Sequence, residues 1–145
     1  MFLAESEVKV SFRLHGEEFP TNEVSEILEL TPTETYQIGD VITDQKSNEP
    51  GFHKETIWEI GTAYEKSLDV KMQLDKTMDP LYSKVQDINK LREKYGIKCL
   101  IMIVLIIEKG ETPAMYLEKK QIDFASQIEA EFHWDLYANP YVSDF

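Results

Sequence analysis

The chain has 145 residues, 42% of them hydrophobic and 11% aromatic. That suits one domain, which buries about 68–70% of its unfolded surface and needs no disulfide or metal staple. Twenty-seven acids against 15 bases leave a net charge of −12, a field that repels phosphate backbones and anionic lipid and so argues against nucleic-acid and membrane partners.

Met1–Glu5 offers neither a basic region nor an apolar run, so no signal peptide is expected and the cytoplasm is the default compartment. Val8, Val10, Phe12 and Leu14 then alternate with Lys9, Ser11 and Arg13, the period-two pattern of a half-buried strand ended by His15-Gly16. Pro20-Thr21 opens a short helix, with Thr21 or Asn22 as N-cap, Glu23 in the first turn, and Val24, Ile27 and Leu28 as its apolar stripe. Thr31-Pro32 is its predicted stop. Thr33–Asp40 reads as extended and ends at Gly39-Asp40, and the polar segment Val41–Lys54 reads as a long mobile loop. A strand over Thr56–Tyr64 sets Trp58, Ile60, Thr62 and Tyr64 on one face.

Val70, Leu74, Met78, Leu81, Val85, Ile88 and Tyr95 recur at helical spacing over Asp69–Tyr95. Pro80 divides this region, and Asp79-Pro80 reads as the N-cap and first position of a second helix that Gly96 ends. Cys99–Ile107 is nine apolar residues without a charge, too short for a bilayer, and reads as a central strand covered on both faces. Cys99, the single cysteine, cannot form an internal disulfide and reads as a small buried hydrophobe with an inert thiol. Glu118–Glu129 is a helix with Ile122, Ala125 and Ile128 inward and Phe124 at the stripe edge. The last strand carries Phe132, Trp134 and Leu136 on one face, with Glu131, His133, Asp135 and Tyr137 on the other, and Asn139-Pro140 closes it.

The order of these elements predicts a single α+β domain over residues 1–145. It holds two β-α-β units around one sheet with helices on one face, of the duplicated ferredoxin-like type, plus a proline-broken helical connector.

Little in the chain points to chemistry. Glu131, His133 and Asp135 share a strand face, but a metal would need further convergent ligands, and the other histidines, His15 and His53, lie in a turn and the polar loop. The serines lack nucleophile-elbow glycines, and no phosphate-cradling glycine pattern exists among six glycines. No catalytic residue, metal or cofactor is expected. Asp135 and Tyr137 read as groups that hydrogen-bond loop backbone at a strand end, and Trp58 and Trp134 read as core.

Several of these marks occur together in a known family. The chain resembles the bacterial domain-of-unknown-function family 4279 over roughly residues 8–138, through its opening strand and short helix, Gly39-Asp40, Trp58, the proline-broken helices, and Trp134-Asp135-Leu136-Tyr137 on the last strand. Where this chain has Asp135-Leu136-Tyr137, many members carry an Asp-Ile-Tyr-like triplet. The resemblance makes Gly39, Asp40, Trp58, Asp135 and Tyr137 signature positions and implies a small cytoplasmic bacterial protein without assigned biochemistry. Similar size and acidity are common in immunity partners of bacterial toxins, an analogy of class.

The functional expectation is a non-enzymatic protein-interaction module, immunity-like, whose acidic surface binds a basic, toxin-like protein. Glu17, Glu18, Glu23, Glu26 and Glu29, with the loop Val41–Lys54, are the expected contact places because packing claims them least. The alternative is small-molecule binding or sensing in a cleft between the sheet and the Asp69–Tyr95 helices, lined by Trp58, Tyr64, Tyr82, Trp134 and Tyr137. Either a monomer or a homodimer is compatible, the latter through an unpaired outer strand.

Overall fold

The computed structural model describes residues 5–42 and 51–139. The opening alternation forms β1 (Glu7–Gly16), followed by α1 (Thr21–Leu28), β2 (Glu34–Tyr36) and a small hairpin of β3 (Val41–Ile42) and β4 (Gly51–Phe52). Then come β5 (Thr56–Gly61), β6 (Glu65–Lys66), α2 (Val70–Met78), a single 3₁₀ turn at Tyr82–Lys84, and α3 (Val85–Tyr95). The apolar run forms β7 (Lys98–Ile107), and α4 (Lys119–Gln127) leads to β8 (Glu131–Ala138).

The main sheet runs β2-β5-β1-β7-β8, with β6 also on β1. β1 pairs antiparallel with both β5 and β7, whereas β7 and β8 are parallel. The expected α+β architecture is present. Its β-α-β units differ in one respect: β7-α4-β8 joins neighbouring strands, while β5 lies between β1 and β2 in the first unit.

Alternation along the strands divides the sheet's two faces. Val8, Val10, Phe12, Leu14, Trp58, Ile101, Ile103 and Leu105 are fully buried on one face, beneath the helices. Trp58 Nε1 donates to Ser25 Oγ on α1 at 3.0 Å, Thr77 Oγ1 on α2 donates to the Val10 carbonyl at 3.2 Å, and Phe124 on α4 packs against Phe12. Val70, Leu74, Met78, Leu81 and Ile88 are buried as their spacing predicts.

Several local expectations are corrected. Pro20, not Thr21 or Asn22, occupies the α1 N-cap, and the helix ends at Glu29 in the left-handed conformation, φ 55°, before Thr31-Pro32 is reached. Ile27 stands 36% exposed beside the buried Val24 and Leu28. Asp79 is the C-cap of α2 and not the N-cap of the second helix, which begins only at Val85 with Lys84 at its N-cap; α2 itself is capped by Asp69, whose carboxylate accepts from Lys71 N at 3.0 Å. The inward stripe of α4 is Gln121, Phe124, Ala125 and Ile128, with Ile122 half exposed, because the Glu118–Gln121 capping box turns Gln121 into the interior.

The Val41–Lys54 segment is not wholly a loop, since its ends pair as β3 and β4, and residues 43–50 lie outside the described residues. The predicted strand Thr56–Tyr64 stops at Gly61, where the chain leaves the ladder before β6. β7 is central and apolar on both sides, but helices cover only one of them. Among the described residues no helix is long and apolar enough to cross a membrane.

Gly61 lies opposite Ser11 at the end of the β5–β1 ladder and leaves no room for a side chain. A Cβ there would lie 2.4 Å from the Val10 carbonyl oxygen and 2.8 Å from Ser11 Cα, both backbone atoms that cannot rotate away. Gly61→Ala is therefore expected to destabilise the fold by about 1–3 kcal/mol, the usual cost of overpacking. Urea unfolding would show this as a lower midpoint with an unchanged slope.

Candidate functional site, the helix-free face of the sheet

The strand registers assemble the uncovered face row by row. Glu34, Glu59, Arg13, Leu100 and Glu131 lie side by side across β2, β5, β1, β7 and β8. Ser11, Met102 and His133 form the next row, Lys9, Val104 and Asp135 the next, and Glu7, Ile106 and Tyr137 the last. A stripe of Leu100, Met102, Val104 and Ile106 thus runs along β7 between two polar strands. Leu100 and Val104 are each only 8% exposed, and Met102 and Ile106 are half-buried, although no helix lies above them. A half-solvated sheet face is ordinarily polar at such positions.

Beside this stripe lie two contiguous hollows of about 250 Å³ and about 360 Å³, which share Lys9, Ser11, Glu34, Glu59 and Tyr64. Glu59 lines both, and Arg13 joins it in the smaller one. Glu59 is 6% exposed, and its Oε1 accepts from Arg13 Nε at 3.0 Å and lies 3.0 Å from Nη2 in an ion pair. So little exposure requires the carboxylate to be paired, and the register supplies the partner by setting Arg13 directly opposite Glu59. Lys9 Nζ lies 5.3 Å from the Tyr64 ring centroid, a cation–π contact on one wall. Asp135 and Tyr137 stand exposed on the opposite wall.

The five aromatics expected in one cleft do not meet. Trp58 is fully buried under α1, and Trp134 packs half-buried against the core. Tyr82 rests edge-on against Phe124 with centroids 5.4 Å apart, and its phenol is pushed up to about 12 by burial first and then by Asp75, Asp79 and Glu118. Only Tyr64 and Tyr137 share a hollow, and it is on the face away from the helices. The chain's departure from β5 after Gly61 turns Tyr64 to this side.

The acidic set also divides. Glu17, Glu18 and Glu26 are exposed and make no ion pair among the described residues. Glu29 lies 3.8 Å from Lys84 Nζ. Glu23 is committed to packing, contrary to expectation: its carboxylate accepts from the Tyr95 hydroxyl and, at 2.9 Å, from Lys94 Nζ. Those two contacts, the phenol first, hold its carboxyl below the ordinary value of 4.5.

Of the signature positions, Gly39 and Asp40 are structural. Gly39 has φ 92°, a conformation that favours glycine, and Asp40 Oδ2 accepts from Gln37 N at 2.8 Å to close the turn. Asp135 and Tyr137 make no loop-backbone hydrogen bonds among the described residues, which corrects the reading that they brace a loop. His133 Nε2 lies 2.9 Å from Glu131 Oε2 on the same strand. Sequence reasoning missed Arg13, Glu59, Met102 and Val104 as site residues, because their juxtaposition depends on a register that one strand cannot reveal.

Among models of protein families, the one described as a domain of unknown function, DUF4279, matches residues 6–139. No curated protein and no solved structure matches the chain.

Two outcomes follow from the titratable groups. Because the Glu23 carboxyl is held low, its stabilising effect is complete above the ordinary carboxyl value and is lost as pH falls through the lowered one. Glu23→Gln is expected to unfold at a lower urea concentration than the parent at neutral pH, with the two midpoints converging in acid. Cys99 is 3% exposed, and burial pushes its thiol up to about 12. Ellman's reagent should leave it unmodified in the folded protein and modify it fully in urea.

Proposed function

The chain belongs to the DUF4279 family, and we propose that it is a non-enzymatic protein-interaction module, immunity-like in kind, whose acidic surface binds a basic protein. The observation that carries this reading is the apolar row along β7 on a sheet face with no helix above it, where Met102 and Ile106 are part-exposed between the buried Leu100 and Val104. An apolar row on an uncovered face is what a docking surface requires, and the polar strands on either side supply a rim.

Charge supports the sign of the partner. Lys66, Lys71, Lys76, Lys84, Lys94, Lys119 and Lys120 each lie within 4 Å of a carboxylate of this chain, as do Arg13 and Arg92. Cations are thus largely engaged internally, and the acids in excess, Glu17, Glu18, Glu26, Glu34 and Asp135 among them, are left to face outward. Such a field would accelerate encounter with a basic protein and be screened by salt.

Affinity capture of the tagged protein from its own host, washed at low and high salt and read by mass spectrometry, tests the proposal. One stoichiometric basic protein is expected, released as salt rises. Met102→Glu should weaken its retention at least about tenfold, the effect of a charge placed in an apolar contact, and Glu34→Lys should make retention less salt-sensitive. A toxin-like partner would carry the immunity reading into an inhibition assay. Recovery of the chain alone, with a metabolite that raises its melting temperature, would replace this proposal with the small-molecule reading.

A further inference from the structure

We propose that β8 is a self-pairing edge: a second copy of this chain docks on it antiparallel, about a two-fold axis through Trp134, and joins the two sheets into one. β8 is the outermost strand on its side, bonded to β7 from Glu131 to Ala138, and among the described residues no strand pairs with its far side. The other outer strand, β2, is only three residues long. β8 is eight residues long and contains neither proline nor lysine, two residues that ordinarily keep a bare edge from pairing, and its charges, Glu131 and Asp135, are both acidic.

The sequence of β8 selects the occupant and the register. Centred on Trp134, antiparallel pairing sets His133 opposite Asp135 of the second copy, and the symmetry repeats the contact. A hydrogen-bonding imidazole and a carboxylate therefore meet twice on the helix-free face. On the other face the same register sets Phe132 opposite Leu136, covering a leucine that is 52% exposed in the single chain. Glu131 falls opposite Tyr137, an acceptor opposite a hydroxyl donor.

The neighbouring registers that keep the helices of both copies on one side lack this match. Centring the pair on Asp135 sets that carboxylate against its own copy. Centring it on His133 sets Glu131 against Asp135. Each brings like charges face to face, which destabilises a cross-strand pair. Of these three registers the Trp134-centred one alone opposes complementary groups at positions 131, 133, 135 and 137, so a second copy of the same strand is the partner that this edge fits. The dimer would extend the helix-free face across both chains.

Sedimentation equilibrium of the full chain, from micromolar to near-millimolar concentration, tests this together with amide exchange of residues 131–138. The parent should show a reversible dimer, and exchange along β8 should slow as concentration rises. His133→Asp places two carboxylates opposite one another, and Asp135→Lys removes the acceptor that faces the imidazole, so each should weaken the dimer about tenfold or more. The double variant restores opposite charges and should recover it. Positions 133 and 135 are exposed, and circular dichroism of each variant is the check that it folds. A monomer at every concentration overturns the proposal. So does a dimer that neither single variant weakens, or one that the double variant fails to restore.

Discussion

The ladder between β1 and β7 is the constraint on which the remaining elements depend. It runs from Glu7 opposite Ile106 to His15 opposite Lys98 and joins the first strand of the chain to one that begins after α3. Within it, Val10, Phe12 and Leu14 meet Ile103, Ile101 and Cys99 on one face, all buried. β5 can then add only to the free side of β1, and β8 only to the free side of β7. The helices must cover the face on which those apolar pairs lie, because leaving it wet would forfeit the largest favourable contribution to folding. The opposite face inherits whatever the alternation leaves.

Much of this was legible in the sequence because it depends on local periodicity. The alternation at Val8–Leu14, the helical stripe from Val70 to Ile88, the stop at Gly96 and the charge-free run of β7 all reappear as buried positions or element ends. What local pattern could not show was pairing. Nothing near Arg13 announces Glu59, 46 residues away, and nothing in the apolar run shows which of its faces the helices choose. Phe124 is buried and Ile122 exposed because the α4 stripe begins at a buried glutamine, Gln121, which a hydrophobic pattern skips. Tyr64 lies on the other face from Trp58 because the alternation does not continue past Gly61, where the ladder breaks.

The site was less legible than the fold for the same reason. Its ion pair, its apolar stripe and its walls come from different strands, and only the register assembles them. The acids fared differently. Glu23 belongs to a cluster with Tyr95 and Lys94 that ties α1 to α3, so a residue chosen for its charge proved to be a tether between helices. Glu17, Glu18 and Glu26 retained the exposure that composition suggested.

The β1–β7 ladder also bears on how the chain is made. β1 emerges before every other described strand during synthesis, yet its longest partner follows the whole helical connector. Until β7 leaves the ribosome, β1 can pair only with β5 and β6, and the side that β7 will cover stays open with Val8, Val10 and Phe12 beside it. Long-range closure of this kind is slow, and open strand edges recruit the wrong neighbours while they wait. α2 meets this interval well, since it is complete before β7 begins and its Thr77 already reaches the Val10 carbonyl. The nascent chain can therefore shelter the inner face of β1 beneath a helix while its second edge awaits the strand that completes the sheet.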